Sequence, residues 1–402
     1  MSRAAAPHVF LVAGEESGDR LGAALIAAIT QRSPGTRFSG IGGAQMASLG
    51  VASLFPLGDL AIIGFAAIPA GLPKILKRIR QTADAVIAAK PDVLVIIDSP
   101  EFTHRVARRV RAREPAIPIV DYVCPSVWAW RPGRARAMRS YVDRVLALLP
   151  FEPAAMRRLG GPACSFVGHP LSEHAKRLRP NPAEARRRLA DPPLLLVLPG
   201  SRASEIRRMA GGFGEAVALA AKRAGALDVV VPTVPRLAAM VTAAVASWGV
   251  PARVLTEPDE KDAAFRVARA ALTKSGTSTL ELAVAGVPMV AAYKVPLIEE
   301  VIARVLITVP SAILTNLVLG ENVVPELLQR DFTPERMVAA LLPLLSDTPE
   351  RRRQIEAFAR LDAIMEIGRA APSDRAAAMV LDCAGARTQR KRETVASGPP
   401  TA

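Results

Sequence analysis

What most limits how this chain can fold is the recurrence of one local pattern. A short apolar run ends at a glycine-containing turn, and the turn feeds an amphipathic helix. His8 to Ala13 leads into Gly14-Glu15-Glu16-Ser17-Gly18-Asp19 and a helix spaced by Leu21, Leu25, Ile26 and Ile29. Leu194–Leu198 leads into Pro199-Gly200-Ser201-Arg202 in the same way. Lys274 to Val295 reads as a Ser-Gly-Thr turn, a short helix carrying Glu281, a stop at Gly286 and an apolar strand from Val287 to Tyr293. Further strands are expected at Arg37–Gly43, Asp92–Ile97, Arg144–Leu149, Asp228–Val231 and Ala252–Leu255. Strands alternating with helices build an α/β fold with a parallel sheet, which binds ligands beyond the carboxyl ends of its strands.

At 402 residues the chain exceeds one ordinary core and suits two. The expected division is a first Rossmann-like domain at 1–171, a second at 172–345, C-terminal helices at 346–383 able to cross back to the first domain, and a disordered tail at 384–402. Gly14 and Gly18 do not make the G-x-G-x-x-G fingerprint, which argues against a nicotinamide site.

The net charge of +15 is uneven, with twelve Arg against Glu114, Asp121, Asp143 and Glu152 between Arg105 and Arg158. Such a field attracts anionic lipid surfaces, phosphorylated substrates or nucleic acid; the same residues also describe Arg decorating solvated helices. Cys124, Cys164 and Cys383 lack metal or disulfide spacing, which suggests a reducing compartment, and the four His form no metal pattern. No metal or cofactor is expected. The N-terminus enters a strand without the apolar length of a signal peptide. No run of about 20 apolar residues offers a membrane span, so a soluble or peripheral protein is expected.

Leu60 to Arg80 sets Phe65, Ile68, Leu72 and Ile75 beside Lys74, Lys77 and Arg78. Apolar residues flanked by basic ones fit a segment lying in a membrane interface; a helix packing its apolar face on the core reads the same way.

Three stretches carry candidate chemistry. A turn feeding a helix N-terminus offers unpaired N–H groups to a pyrophosphate, so Ser275, Gly276 and Thr277 form a candidate cradle. With Thr277 or Ser278 as cap, Glu281 falls one turn in, within reach of a sugar's hydroxyls. Arg202 beside Ser201 stands where a bidentate pyrophosphate contact is useful. Asp98 ends the apolar run Asp92–Ile97 and is the general-base candidate, with a turn or helix-cap role as the other reading. Trp128 and Trp130 beside Arg131 suit a phosphorylated sugar or a single-stranded nucleic acid, and equally an aromatic core corner.

AGEESGDRLGA (13–23), GIGGAQM (40–46), IIDSPEF (96–102), YVCPSVWAWRPGR (122–134), VGHPL (167–171), LPGSRASEI (198–206), KSGTSTLELAVAGVPMV (274–290) and LTNLVLGENVVPELLQ (314–329) together resemble the lipid-A-disaccharide synthase family over about residues 8–370. The resemblance implies the GT-B glycosyltransferase fold: two Rossmann-like domains facing a central cleft, donor on the second and acceptor on the first. It implies condensation of UDP-2,3-diacylglucosamine with 2,3-diacylglucosamine 1-phosphate to the β-1,6 disaccharide 1-phosphate and UDP, at the cytoplasmic face of the inner membrane of a Gram-negative bacterium. A homodimer is compatible with this reading, and no nucleic-acid partner is expected. Carried over by motif, Asp98, Arg202 and Asn316 are implied as catalytic. Ser201, Ser275, Gly276, Thr277 and Glu281 are implied on the donor side; Glu15, Ser17, Asp19, Ser126, Trp128 and Arg131 on the acceptor side. The chain departs from the family pattern at Cys124, Thr103 and Thr315, where Ser, Asn and Pro are expected.

The rivals are another UDP-N-acetylglucosamine enzyme on the same scaffold, either a peptidoglycan-type transferase or an epimerase, and a non-catalytic protein that binds anionic membranes or nucleic acid. An epimerase needs no lipid acceptor. A nucleic-acid binder shows steep salt dependence and does not need Asp98.

Overall fold

A computed structural model describes residues 6–60, 68–296, 300 and 309–396, with backbone alone at 68–71 and 388–396. It contains two compact units, Met1–Pro170 with Arg369–Ala402, and Leu171–Gly368.

The first unit is built on six parallel strands in the order β2-β1-β3-β4-β5-β6. These are β1 (His8–Ala13), β2 (Arg37–Ile41), β3 (Val93–Ile97), β4 (Ile119–Tyr122), β5 (Arg144–Ala147) and β6 (Ala163–Phe166). The β3 sequence VLVII is apolar at every position because both faces are covered. On one face Leu94 and Ile96 pack with Ile79 and Val86 of the Ile68–Ala89 helix and Val106 and Val110 of the Pro100–Arg113 helix. On the other, Val93, Val95 and Ile97 pack with Leu25 and Ile29 of the Glu16–Arg32 helix and Ala377 and Val380 of the Pro372–Ala396 helix.

The C-terminal helix thus completes the first unit. It continues to Ala396, through the stretch from Ala384 where composition suggests disorder; Ala384 itself is buried in this core.

The second unit carries β7 (Leu194–Leu198), β8 (Asp228–Pro232), β9 (Ala252–Leu255), β10 (Ala270–Thr273), β11 (Met289–Tyr293) and β12 (Glu326–Leu328). Its parallel order is β12-β11-β10-β7-β8-β9, the doubly wound order of dinucleotide-binding folds. Phe213 and Val217 of the Ala203–Ala224 helix and Met337 and Leu341 of the Pro334–Leu345 helix share one core with Leu195, Val197 and Leu272.

This unit extends past Leu345 to Gly368. Gln354 holds Met289 through both backbone groups, accepting from its N–H at 2.8 Å and donating to its carbonyl at 3.1 Å, and buried Arg351 donates to Leu344 O at 2.7 Å. The helices after Leu345 are therefore tied to the second sheet before the chain returns to the first.

Strand order reverses between β1 and β3 in the first unit and between β7 and β10 in the second. At such a switch point the turns leaving two adjacent strands run to opposite faces, which opens a crevice for ligand. Asp98 follows β3, Gly14 and Glu15 follow β1, and the Gly200 and Gly276 turns follow β7 and β10.

Candidate active site

In the first unit, Asp98 and Ser99 both adopt left-handed backbone conformation, φ 55° and 46°, between β3 and the Pro100–Arg113 helix. Neither is glycine, and each such residue costs about 1–2 kcal/mol that surrounding contacts must offset. Asp98 Oδ1 accepts from Ser99 N–H at 2.7 Å, and Asp98 Oδ2 accepts from Ser17 Oγ at 3.1 Å. Ser99 Oγ donates to Glu15 Oε1 at 3.0 Å. A Cβ on Gly14 would lie 2.3 Å from Ser99 Cβ, so the Ser99 side chain fits over the first turn because residue 14 has none. Thr103, fully buried, donates its hydroxyl toward the carbonyls of Asp98 and Ser99, at 2.7 and 3.1 Å. The turn thereby presents a half-buried carboxylate, with its direction fixed, beside Ser17 and Glu15.

Asp19 stands elsewhere. It is buried and accepts from the N–H groups of Gly43, Gln45 and Met46 at 2.7, 2.9 and 3.1 Å, capping the Ala44–Ser48 helix. Its lone pairs are committed to the fold.

After β4 the chain is again strained: Val123 has φ 97°, rare for a β-branched residue. In the loop that follows, Ser126 is exposed and Trp128 is half-buried, with its Nε1 donating to Glu152 Oε1 at 3.1 Å and its ring meeting Phe151 edge-on at 4.9 Å. Glu152 also accepts from Leu149 N–H at 2.9 Å, and burial pushes its carboxyl up to about 7. Arg131 lies 4.6 Å over the Trp130 ring. Arg105, Arg131 and Arg134 all reach Glu101, so one carboxylate faces three guanidinium groups and the cluster keeps a positive excess.

In the second unit, Glu205 connects the two switch-point turns. It accepts from Ser201 N–H at 2.9 Å and Arg202 N–H at 3.2 Å, and its Oε1 lies 3.0 Å from Lys274 Nζ. Burial raises its carboxyl, but these donors outweigh that and hold it below the ordinary range. Gly200, φ 140°, makes room: a Cβ there would fall 2.6 Å from the Glu205 carboxylate. The Arg202 side chain is 73% exposed, with only a 3.5 Å contact to Glu205, and is available to an anion.

Ser275 Oγ donates to Ala312 O at 2.6 Å, and the N–H groups of Gly276 and Thr277 meet no acceptor among the described residues. Neither Thr277 nor Ser278 caps the Ser278–Val284 helix by its side chain; Thr279 Oγ1 instead donates to Gly276 O at 2.8 Å. Glu281 is paired with Lys261 at 3.0 Å. Asn316, 2% exposed, accepts from Val323 N–H and Val324 N–H at 3.1 and 2.9 Å and donates to Val324 O and Glu326 Oε1 at 3.0 and 3.1 Å. Glu326 in turn accepts from Ser311 Oγ and Ala312 N–H. Asn316 therefore holds a loop, through which the Ala312 carbonyl reaches Ser275.

A sequence family described as lipid-A-disaccharide synthetase matches residues 9–379. The chain belongs to the lipid-A-disaccharide synthetase family. Similar proteins named lipid-A-disaccharide synthase include that of Nitrobacter hamburgensis, 61% identical over 93% of this chain and 95% of that one, and that of Bradyrhizobium diazoefficiens, 58% identical over 93% and 95%. A lipid-A-disaccharide synthetase is a glycosyltransferase, and the chain is one that acts in lipid A disaccharide synthesis. The fold agrees. A Neisseria meningitidis UDP-GlcNAc 2-epimerase bound to UDP-GlcNAc shares it at TM-score 0.61 and 13% identity, covering 93% of this chain and 100% of that one. MurG of Acinetobacter baumannii shares it at TM-score 0.58 and 14% identity, covering 94% and 99%. Two Rossmann-like units of this order are the GT-B type.

For a lipid-A-disaccharide synthetase the basic segment at 60–80 is of interest. Phe65 lies outside the described residues, and Ile68 is described by backbone alone, as the first residue of the Ile68–Ala89 helix. Leu72 is 41% exposed and Lys77 is exposed. Ile75 instead packs partly on the core, Lys74 Nζ lies 2.7 Å from Asp59, and Arg78 reaches Asp59 while lying 4.5 Å over Phe55. Those two cations fasten the helix to its own unit.

Ser99 in the first unit, and Glu205, Lys261, Lys274 and Glu326 in the second, shape the turns of their own units without standing out in the sequence. Glu205 has one signal, its place three residues after the cap position of Arg202, as in a capping box.

Proposed function

We propose that the chain condenses UDP-2,3-diacylglucosamine with 2,3-diacylglucosamine 1-phosphate by one inverting displacement, with Asp98 as general base. The observation that carries this reading is the Asp98 carboxylate, half-buried at the switch point after β3 and aimed by Ser17 Oγ and Ser99 N–H. Asp98 takes the proton of the acceptor 6-hydroxyl as its oxygen bonds to the donor's anomeric carbon and the bond from that carbon to UDP breaks. Negative charge then grows on the departing diphosphate. The Gly276 and Thr277 N–H groups and the exposed Arg202 guanidinium offer preorganised donors to it. Glu281 would accept from the donor's sugar hydroxyls in exchange for part of its bond to Lys261. Glu15, Ser126 and Trp128 line the acceptor side, and the three-Arg cluster around Glu101 holds the acceptor's 1-phosphate.

We further propose that the enzyme works peripherally on an anionic membrane, at its cytoplasmic face, where acylated substrates reside. Exposed Leu72 and Lys77 are the described residues that support this. A homodimer is part of the same reading.

The test is UDP release with and without the lipid acceptor in detergent micelles, for the parent and for Asp98→Asn. The expected result is acceptor-dependent release that falls by about 10²-fold or more in the variant. Release that ignores the acceptor, or a variant that equals the parent, defeats the reading.

A further inference from the structure

We infer that Thr103 is the positioning residue that aims the Asp98 carboxylate, an inference that rests on the reading of Asp98 as general base. One peptide unit carries the argument. The peptide joining Asp98 to Ser99 has its carbonyl bonded by Thr103 Oγ1 at 2.7 Å and its N–H bonded to Asp98 Oδ1 at 2.7 Å. Thr103 and the Asp98 carboxylate thus hold opposite ends of the same rigid plane. If that plane rotates, the N–H leaves the carboxylate and the carboxylate loses one of its two described donors.

The turn has reason to rotate. Both of its residues sit at positive φ without being glycine. Ser99 N–H and Ser17 Oγ reach the carboxylate, and Ser99 Oγ reaches Glu15, but none of these contacts fixes the Asp98 carbonyl. Among the described residues that carbonyl is held by Thr103 alone. Thr103 has no exposed surface, so water cannot stand in for its hydroxyl. It is also anchored independently, its own N–H donating to Ser99 O at 3.1 Å in the first turn of the Pro100–Arg113 helix. Helix, hydroxyl, peptide and carboxylate form one line of fixed groups that ends at the reacting proton.

A residue that only supports the fold and one that aims the base differ in a measurable way. kcat and KM are measured by UDP release for the parent, Thr103→Val, Thr103→Ser, Asp98→Asn and the double variant Asp98→Asn/Thr103→Val. Valine keeps the shape and removes the hydroxyl. It is expected to lower kcat by about tenfold or more with both KM values within about twofold, because aim matters in the transition state and little in binding. Thr103→Ser restores the hydroxyl and is expected to return kcat to within about threefold of the parent. In the Asp98→Asn background the valine change is expected to have no further effect, the signature of two groups acting as one.

Parent-like kcat in Thr103→Val overturns the inference. So does an equal loss in both backgrounds, which marks Thr103 as support for the fold. If Asp98→Asn itself equals the parent, the base reading fails and takes this inference with it; if Asp98→Asn is crippled while Thr103→Val is normal, only the Thr103 assignment falls. Should the valine variant not fold, Thr103→Ala enters the same cycle in its place.

Discussion

Lys274 Nζ lies 3.0 Å from the buried Glu205 carboxylate, and this pair joins the turn after β10 to the turn after β7. Removing the cation leaves Glu205 with the Ser201 and Arg202 N–H groups and, as countercharge, only the exposed Arg202 guanidinium at 3.5 Å. Breaking a buried pair in this way costs about 3 kcal/mol. Lys274→Met is therefore expected to destabilise the second unit by about that amount and to raise KM for the UDP-sugar more than KM for the acceptor. Urea titration followed by hydrogen exchange in β7 and β10 reads the first, and initial rates the second. A loss under about 1 kcal/mol would show that the two turns do not need the pair.

Asn316 illustrates how a residue implied as catalytic can act from a distance. All four of its described side-chain hydrogen bonds go to Val323, Val324 and Glu326. Asn316→Asp removes the two donors and sets a second carboxylate against Glu326; Asn316→Ala leaves buried N–H groups unpaired, at about 1–3 kcal/mol each. Both variants are expected to lose stability in the second unit together with activity, the aspartate more at neutral pH than at pH 5. Loss of activity with unchanged stability would instead place Asn316 in direct contact with substrate.

Much of this is legible from pattern, and the reason lies in what pattern reports. The β3 run VLVII is apolar throughout because both faces of a parallel sheet are covered, so its carboxyl end and Asp98 can be placed from sequence alone. Asp19 cannot be assigned this way. Its spacing sets it in the same turn region as Glu15 and Ser17, yet its oxygens bond amides at 43, 45 and 46, a contact made only by folding. Glu281 is a similar case, since Lys261 is twenty residues away in sequence and 3.0 Å away in space. The C-terminal helix is hidden from Ala384 onward because Arg387 to Glu393 are all polar, while the residues that seat it on the first sheet, Ala377, Val380 and Ala384, come before that run.

Among the described residues no helix is long and apolar enough to cross a membrane, and the proposed membrane contact is tested at the surface of the Ile68–Ala89 helix. Among the described residues of the Ile68–Ala89 helix, Leu72 is an exposed apolar group and Lys77 an exposed basic one, with Arg80 also exposed. Lys77→Gln is expected to weaken binding to phosphatidylglycerol vesicles by about fivefold, the worth of one cation near an anionic surface, and to leave binding to neutral vesicles unchanged. Leu72→Glu is expected to weaken both. Sedimentation with vesicles decides, and unaltered sedimentation of both variants removes these residues from the membrane contact.

Two titratable groups of the first unit, buried Glu152 and half-buried His169, give stability opposite dependences on pH. Burial raises the Glu152 carboxyl from its ordinary 4.5 to about 7, and burial lowers His169 from 6.5 to about 4. Between pH 4.5 and 7 the folded state holds a proton on Glu152 that the unfolded chain has released, so this contribution is complete below 4.5 and is lost as pH rises through 7. Between pH 6.5 and 4 the unfolded chain protonates His169 while the fold keeps it neutral, so stability is lost as pH falls through that window. Each window spans about 3 kcal/mol, and across the shared range the two nearly offset. Removing one titration should expose the other. Glu152→Gln is expected to gain stability relative to the parent, by about 2 kcal/mol, on going from pH 5 to pH 8, and His169→Gln to gain a similar amount on going from pH 8 to pH 5. Hydrogen exchange of the β4 and β5 amides in urea follows the first unit by itself. If the stability difference between either variant and the parent does not change with pH, that residue does not titrate in the fold as described.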